Sequence, residues 1–421
     1  MRRSDDMDLA RRALRGRDLV VFSNDWDGDP LSKVHIMRIL ARENRILWVN
    51  SIGNRAPKAN AHDVKRIFNK LSRFTEGLRE VEPNIHVLSP LAIPFYGSEL
   101  VRGANRELLR LQVLRAMKRL GFKKPISWSF LPASAPVSGT LGEEFVIYHC
   151  VDEFSAFSDT NGRHIAELEE RLLKRADLCI TSAERLRESK ARVNPRTVLV
   201  RHGTDFSHFV KACDPATPIP EDIARLPKPI IGFFGLVADW VDQEAIIATA
   251  RAHREGSVVI IGKTTPDCDD SALRAEPNIH MLGRKRYADL PGYSKAFDVA
   301  LMPFKVSELT LNANPLKVRE YLAAGLPVVS TDLPEVRKVG LCRIASDTED
   351  FVRKVDECLA DKPGPDRARA ERIFSESWDA RVDEIRHHVG AALMADVART
   401  SDATPGYARP SRPASARSRW A

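Results

Sequence analysis

The chain has 421 residues, of which 43% are hydrophobic and 29% are charged, and its formal net charge is +8. This composition excludes a disordered chain, which lacks the apolar surface to offset its ordering entropy, and the length predicts two domains rather than one. No run approaches the roughly 20 apolar residues that span a bilayer. Since the first residues also lack the apolar region of a signal peptide, we expect a cytoplasmic protein.

The six cysteines are scattered, without a CxxC pair or a histidine at zinc-ligand spacing, so we expect neither disulfides nor a metal site. The positive charge is concentrated in one stretch, because residues 55–125 hold fifteen Lys and Arg against six Asp and Glu. Such a basic stretch attracts phosphates, anionic lipid head groups or nucleic acid, and the composition does not choose among them.

Short apolar runs rich in Val, Ile and Phe predict buried parallel strands in the first half of the chain. These runs lie at 18–23, 45–50, 145–150, 177–182 and 197–203. Helical patterns lie between them at 31–44 and 161–176. Alternation of strand and helix predicts a doubly wound sheet.

A second set of alternations follows a polar segment with five prolines, residues 211–229, which predicts an interdomain linker. Its predicted strands lie at 229–235, 257–262, 279–283, 298–304 and 326–331. Helical patterns cover 243–254 and 316–325. The predicted fold is α/β, with two Rossmann-like domains whose parallel sheets face each other across a cleft.

The composition also predicts where each part of the chain begins and ends. The predicted parts are an amino-terminal extension at 1–17, a first Rossmann-like domain at 18–210, the linker at 211–229, a second Rossmann-like domain at 230–375, a helical segment at 376–398 and a disordered tail at 399–421. The tail is rich in Ser, Pro, Ala and Arg, which do not form a core.

The segment NANPLKVREYLAAGLPVVST, residues 312–331, carries the clearest chemistry. A loop that includes Asn314 opens a helix at Pro315, and the free N–H groups of a helix amino terminus favour a diphosphate. Lys317 in the first turn adds a cation, and Glu320 can accept hydrogen bonds from ribose hydroxyls. The alternative for Lys317 and Glu320 is an ordinary solvated helix face.

PLKVREYLAAGLPVVST resembles the donor-site signature of the GT-B glycosyltransferases, in the large group 1, family-4-like set. VDEFSAF (151–157) and GFFGLVADWVD (232–242) support this resemblance. The whole pattern is similar to bacterial transferases that build teichuronic acid and exopolysaccharides, including the xanthan glucuronosyltransferase. The resemblance implies the GT-B fold, a UDP- or GDP-sugar donor in the second domain, a glycan or lipid-linked acceptor in the first, and no metal or other cofactor.

On the donor side the resemblance also implies roles for Gly235, Asp239 and Trp240, in the loop after the first strand of the second domain. The sequence departs from many retaining members in two respects. Asn312 stands where they carry a second glutamate, and residues 235–245 lack their basic pair. A retaining mechanism therefore does not follow, and the diphosphate is expected at the Pro315 helix and Lys317.

An inverting transferase needs one carboxylate to take the proton from the acceptor hydroxyl. Asp152 is the candidate, because it follows the strand at 145–150 and would face the cleft, with Glu153 as its neighbour. The resemblance to the xanthan enzyme implies the same role, paired with Lys317. The alternative is that Asp152 caps the next helix.

Acceptor-binding candidates follow other strands of the first domain. Asp25, Trp26, Asp27 and His35 lie in or after the loop that follows the first strand, and Trp26 is expected to stack on a pyranose ring. His202 lies at the end of the predicted strand at 197–203. The alternatives are that Asp25 and Asp27 only form a turn and that His202 is a satisfied loop histidine.

Residues 63–78 place apolar residues at helical spacing beside basic ones, a pattern typical of a helix on an anionic membrane surface. A helix packed on the core is the alternative. The predicted function is sugar transfer in cell-surface polysaccharide synthesis, in the cytoplasm or at the inner face of the plasma membrane, without nucleic acid. Two alternatives remain: a sugar-nucleotide epimerase on the same fold, and a non-catalytic basic protein that binds a partner or nucleic acid.

Overall fold

The computed structural model describes residues 9–28, 30–51, 77–92, 99–158 and 161–401. Within these ranges the chain forms two α/β domains, each built on its own sheet. The predicted fold class is therefore confirmed. None of the helices in this part of the chain is long and apolar enough to cross a membrane.

The first domain is built on an eight-stranded sheet with the order β3-β4-β2-β1-β5-β6-β7-β8. Its strands are β1 Asp18–Phe22, β2 Arg45–Val49, β3 Leu78–Glu82, β4 Ile85–Leu88, β5 Ile126–Ser129, β6 Phe145–Cys150, β7 Leu178–Thr181 and β8 Thr197–Leu199. All neighbouring pairs are parallel except β3 and β4. The carboxyl ends of β1, β6 and β8 therefore meet at one edge of the sheet.

The second domain is built on a six-stranded parallel sheet with the order β11-β10-β9-β12-β13-β14. Its strands are β9 Ile230–Phe234, β10 Ser257–Ile261, β11 Ile279–Gly283, β12 Val299–Met302, β13 Val328–Thr331 and β14 Arg343–Ala345. The central strands are continuous apolar runs because helices cover both faces of the sheet.

Helices cover the sheets and connect the strands. Those of the first domain are α1 Ser32–Leu40, α2 Glu99–Leu120, α3 Gly162–Arg175 and α4 Glu184–Ala191. The following ones are α5 Phe206–Phe209, α6 Glu221–Ala224, α7 Gln243–Ala252, α8 Ser271–Ala275, α9 Leu290–Ala296, α10 Glu308–Leu311, α11 Leu316–Ala323, α12 Pro334–Val339, α13 Thr348–Asp361, α14 Arg367–Glu371 and α15 Trp378–Ser401.

The last helix, α15, returns to the first domain although it follows the second in sequence. Trp378, Val382, Ile385 and Val389 are buried in the same apolar cluster as β1 and α1. The predicted helical segment 376–398 is thus present. It continues to Ser401, into the segment expected to be disordered, and residues 402–421 lie outside the described residues.

The predicted linker, 211–229, is packed rather than free. Ala212 and Ile223 are buried in the core of the second domain, together with Phe206 and Phe209 from α5. The second domain therefore recruits residues that the sequence assigned to the first domain and the linker. Proline content correctly indicated a break between sheets, but apolar residues within the segment attach it to one side.

Every strand predicted from an apolar run is present, and β3, β4, β5 and β14 were not predicted. These strands are short and carry polar residues, as in LREVE of β3 and ISWS of β5. Of the predicted amphipathic helix 63–78, residues 63–76 lie outside the described residues, and Leu78 begins β3 rather than ending a helix.

Gly232, in the middle of β9, gives a test of the second core. A Cβ atom there would lie 2.1 Å from the ring of Phe297, which is 0% exposed. We expect Gly232→Ala to lower the free energy of unfolding by about 1–3 kcal/mol through overpacking. Gly103→Ala on α2, where nothing lies within 4 Å, should instead be neutral or stabilising. Urea denaturation measures both, and equal effects would contradict the packing argument.

Candidate functional site

The turn before α11 contacts the first domain directly. The side-chain amide of Asn314 donates to the carbonyl oxygen of Ser182, at 2.7 Å. The carbonyl oxygen of Asn314 lies 2.8 Å from Nδ1 of His202. This turn therefore lies at the gap between the two domains, as the donor-site prediction requires.

Asn314 itself has no free side-chain group for a ligand. Besides the bond to Ser182, its Oδ1 accepts a hydrogen bond from Arg319 at 2.5 Å, and the residue is 3% exposed. The Asn314 side chain therefore holds the domains together, and the prediction that Asn314 binds the donor stays a prediction.

The first turn of α11 does present groups to the gap. Pro315 precedes the helix and no side chain caps it, so its first N–H groups have no capping partner from a side chain. Lys317 is half-buried, with its Nζ 3.2 Å from Oε2 of Glu320. Glu320 is 7% exposed, and this oxygen accepts no hydrogen bond. A cation and a carboxylate thus stand side by side at a helix amino terminus, which suits a nucleoside diphosphate.

Asp152 follows β6 and is half-buried. Burial raises its pKa, Lys33 opposes this rise and Glu153 adds to it, and the net pKa is about 6. The next helix, α3, is capped by Asn161, whose side chain accepts from the N–H of His164. Asp152 is therefore not the cap of that helix, which was the alternative to its role as a base.

Glu153 is held in a buried ion-pair network. Its carboxylate accepts from Lys190 at 2.7 Å and from the hydroxyl of Ser155 at 2.7 Å. Lys190 also donates to Glu169 at 2.8 Å. With both oxygens of Glu153 occupied, Asp152 is the available carboxylate of the pair.

A short chain of hydrogen bonds connects Asp152 with the donor-side turn. The hydroxyl of Ser182 donates to the carbonyl of Val151, the residue before Asp152, at 2.8 Å. The carbonyl of Ser182 accepts from Asn314 in turn. The backbone just before Asp152 and the turn that opens α11 are therefore joined through Ser182.

His202 lies within this connection and is 6% exposed. Because a carbonyl only accepts, the 2.8 Å contact with Asn314 places the ring proton on Nδ1. Burial lowers the pKa of His202 to about 4, so the ring is neutral at pH 7. Its Nε2 is buried without a hydrogen-bond partner, which leaves one acceptor available.

The loop after β1 differs from its prediction at Trp26. This side chain is 8% exposed and packs edge-on against Trp48, with ring centroids 5.0 Å apart. The prediction that Trp26 stacks on an acceptor sugar is wrong, because its ring is part of the first core. Asp27 pairs with Arg79 at 2.8 Å, and Asp25 is half-buried in the same turn.

His35 lies at the junction of the two domains. Its ring stacks on Trp378 of α15, with centroids 5.6 Å apart, and lies 5.9 Å from the ring of Tyr287. Burial lowers its pKa to about 4. The hydroxyl of Tyr287 is buried and unpaired, so a polar ligand here would find a hydrogen-bond partner.

The loop after β9 holds the remaining donor-side candidates. Gly235 packs so closely on Gly262 that a Cβ on Gly262 would meet the carbonyl oxygen of Gly235 at 1.7 Å. Asp239 is exposed, and Trp240 makes an edge-to-face contact with Phe157 of the first domain, with centroids 6.0 Å apart. This loop therefore also lies at the gap.

Two residues that sequence reasoning missed are central here. Lys33 is 6% exposed and donates to Asn24 at 2.5 Å. Arg319 is 1% exposed and bonds Glu376 at 2.6 Å. Lys33 lies in the predicted helix 31–44 and Arg319 in the predicted helix 316–325. The sequence signal for both was a charged residue among the apolar residues of a helix. In the described part of the chain, no group of three or more His, Cys, Asp or Glu is arranged to hold a metal ion.

Comparison with known families supports this geometry. Residues 228–361 match the family model for glycosyl transferases group 1. The second domain is therefore similar to group 1 glycosyltransferases. It contains Gly235, Lys317 and Glu320, so the predicted resemblance is confirmed.

A curated relative is the putative teichuronic acid biosynthesis glycosyltransferase TuaH of Bacillus subtilis, 25% identical over 276 residues. The match covers 62% of this chain and 66% of that protein, slightly less than two thirds of its length.

Solved structures share the GT-B fold of this chain. Anabaena HepE in complex with UDP and glucose has a TM-score of 0.56 at 15% identity, covering 92% of this chain and 100% of that one. A trehalose-phosphate synthase of Burkholderia vietnamiensis has a TM-score of 0.63 at 12% identity, covering 90% and 100%.

The raised pKa of Asp152 predicts a loss of stability with rising pH. Its pKa is 3.8 ordinarily and about 6 in the folded protein, so the folded state holds the proton more tightly between these values. The stabilisation is complete below the lower value and is lost as the pH rises through the higher one. The side chain of the Asp152→Asn variant stays neutral at every pH. Its free energy of unfolding relative to the wild type should therefore rise by about 2 kcal/mol between pH 4.5 and pH 8.

Chemical denaturation at the two pH values measures this difference. Asp379→Asn is the control, because Asp379 is 67% exposed in a surface pair with Arg42. A stability difference for Asp152→Asn that does not change with pH would contradict the raised pKa.

Proposed function

We propose that the protein transfers a sugar from a UDP- or GDP-sugar to a glycan or lipid-linked acceptor during cell-surface polysaccharide synthesis. The group 1 domain supports a nucleotide-sugar donor, and the teichuronic acid relative supports a surface polysaccharide. HepE, with the same fold, is described in complex with UDP and glucose. These relatives do not favour the epimerase or the nucleic-acid-binding alternative.

The observation that carries the proposal is the hydrogen-bonded connection from Val151 through Ser182 to Asn314. It joins the backbone just before Asp152 to the turn that opens α11, which supports a site shared by this carboxylate and the helix proposed to hold the leaving diphosphate. An inverting transferase needs both groups on opposite sides of one anomeric carbon. An epimerase has no acceptor hydroxyl to deprotonate.

In this proposal Asp152 takes the proton of the acceptor hydroxyl as that oxygen attacks the anomeric carbon. The amino terminus of α11 and Lys317 stabilise the negative charge that develops on the diphosphate. Glu320 accepts from the ribose hydroxyls through Oε2, which accepts no hydrogen bond within the protein although it forms an ion pair with Lys317. Contact between the domains excludes water, so that transfer outcompetes hydrolysis. The scheme uses no metal.

Two substitutions separate donor binding from turnover. Lys317→Ala should weaken binding of UDP or GDP by about 10- to 100-fold, since it removes a charge-assisted contact. Asp152→Asn should keep that affinity and reduce kcat by about 10²- to 10⁴-fold. Calorimetric titration with each nucleotide and a transfer assay with labelled UDP- and GDP-sugars measure the two effects.

Lys174→Ala is the matched control for Lys317, because Lys174 is 65% exposed on α3. Full activity of Asp152→Asn would reject this residue as the base. Unchanged nucleotide affinity of Lys317→Ala would reject the donor site at α11.

We also propose a cytoplasmic location with peripheral contact to the membrane, which would suit a lipid-linked acceptor. Within the basic stretch, α2 carries several Arg and Lys residues, and Leu100 at its start is 86% exposed. Exposed apolar and basic residues on one element favour an anionic lipid surface.

Binding to anionic liposomes tests the membrane contact. We expect the protein to sediment with anionic vesicles at low salt, to be released as salt screens the charges, and not to bind neutral vesicles. Leu100→Asp should reduce binding to the vesicles. Val193→Asp should not, because Val193 is an exposed apolar residue outside the basic stretch, between α4 and β8. Absence of any binding at low salt would refute the proposal.

A further inference from the structure

Lys33 is a buried ammonium group that no carboxylate pairs with. The residue is 6% exposed, and its Nζ donates to Oδ1 of Asn24 at 2.5 Å. Among the described residues this neutral amide is its hydrogen-bond partner, and no acidic side chain forms an ion pair with it. Burial lowers the pKa of Lys33, Asp152 opposes this effect, and the net pKa is about 8. Because buried charges are normally paired, an ammonium in this setting favours an anionic ligand.

The position of Lys33 on its helix adds to the positive charge. Lys33 is in the first turn of α1, which contains no acidic residue, and Leu31 provides no side-chain cap. The first N–H groups of a helix carry a partial positive charge, so the ammonium lies at the end of the helix that disfavours a cation. An anion bound here is stabilised by both the helix terminus and the ammonium.

The ammonium lies beside the loop that carries Asp152. Its Nζ is 5.8 Å from the ring centre of Phe154 and 5.9 Å from that of Phe130. Phe154 is two residues after Asp152, so the Cα atoms of these two residues are at most about 7 Å apart. Asn24 is exposed and Phe154 is half-buried, so solvent borders this region. A sugar whose hydroxyl reaches Asp152 can therefore place another of its substituents near Lys33.

Two more buried polar groups near Phe130 have no hydrogen-bond partner among the described residues. The ring of His149 lies 4.9 Å from the ring of Phe130, and its Nδ1 is unpaired. Ser23 follows Phe22, whose carbonyl accepts from the N–H of Phe130, and the hydroxyl of Ser23 is unpaired. Both residues are at most 1% exposed. Buried polar groups without partners are rare in folded proteins, so these two favour a polar ligand in this region.

We propose that Lys33 and the amino terminus of α1 bind an oxyanion of the acceptor, which is either the carboxylate of a uronic acid or a phosphate. This inference rests on the proposed function, because it assigns the anion to the acceptor. The donor diphosphate has its own proposed site at Lys317 and α11, in the second domain, whereas α1 belongs to the first.

This contact selects charged acceptors over neutral ones. A carboxylate or phosphate forms a charge-assisted hydrogen bond with the buried ammonium, whereas a neutral sugar leaves the ammonium without an opposite charge. A site that bonds a polar group of its substrate discriminates strongly against analogues that lack this group. Lys33 is therefore a specificity-determining residue for the acceptor.

Binding of small sugars to the nucleotide-loaded protein tests the preference for an anion. Saturating UDP or GDP fills the proposed donor site, so that an added anion does not bind at Lys317. Calorimetric titration then compares glucuronate, glucose 6-phosphate and glucose. We expect at least one of the anionic sugars to bind about 10- to 100-fold more tightly than glucose. The tighter of the two identifies the anion as a carboxylate or a phosphate. Anionic sugars that bind no better than glucose would overturn the proposal.

Substitution of Lys33 tests whether this residue causes the preference. Lys33→Met has a similar shape without the charge, and it should bind the anionic sugars no better than glucose while its affinity for UDP or GDP stays unchanged. Lys174→Met is the control, because Lys174 is 65% exposed on α3, and it should keep the preference. A preference that survives in Lys33→Met would contradict the proposal. A lower nucleotide affinity of Lys33→Met would also contradict it, because the anion would then belong to the donor.

The stability of Lys33→Met gives a measurement that needs no ligand. Methionine replaces a buried charge that has no ion pair, so the variant should resist urea at least as well as the wild type. A marked loss of stability would show that the protein itself satisfies the ammonium, which the proposal excludes.

The two proposals can fail separately. Anion-dependent sugar binding at Lys33 in a protein that transfers no sugar would reject only the proposed function. Transfer to a neutral acceptor, without any preference for anionic sugars, would reject only the anion site.

Discussion

The buried guanidinium of Arg319 is the contact on which the arrangement of the two domains depends. It is 1% exposed and donates to Asn314 on one side and to Glu376 on the other. Burial lowers its pKa, and Glu376 opposes this effect. Because a buried charge is stable only with its partners in place, Arg319 fixes the donor-side turn relative to the start of α15. Asn314 then carries the constraint to Ser182 in the first domain.

Besides ring contacts such as that of Trp240 with Phe157, further polar contacts join the domains. Glu335 on α12 is 2% exposed and accepts from the backbone N–H of Glu184 and from Arg201. Hydrogen bonds and ion pairs of this kind can exchange with water when a cleft opens, whereas each apolar core stays intact. The helix α15 follows the second domain in sequence, but its apolar face packs in the core of the first domain. This construction suits a protein that must admit two substrates and then exclude water.

The cleft also shows how burial is used at the site. Asp152 has a raised pKa, while His149 and His202 have lowered ones, and in each case burial is the largest cause. Such groups cost stability, so their concentration beside unpaired polar atoms favours a functional site over a purely structural one. Glu153 shows the contrast, because Lys190 and the hydroxyl of Ser155 each donate to one of its carboxylate oxygens.

The sequence by itself determined the features that depend on residues close to each other along the chain. Apolar runs predicted the buried strands, Pro315 predicted the start of α11, and the position of Asp152 after β6 followed from strand order along the chain. Strands such as β3 and β5 were not predicted, because their polar residues hide the apolar pattern. Only the tertiary structure decided which polar side chains are already occupied and which are available to a ligand. Asn314 bonds a residue 132 positions away, and pairing at such a distance depends on how the domains pack, which no local pattern records.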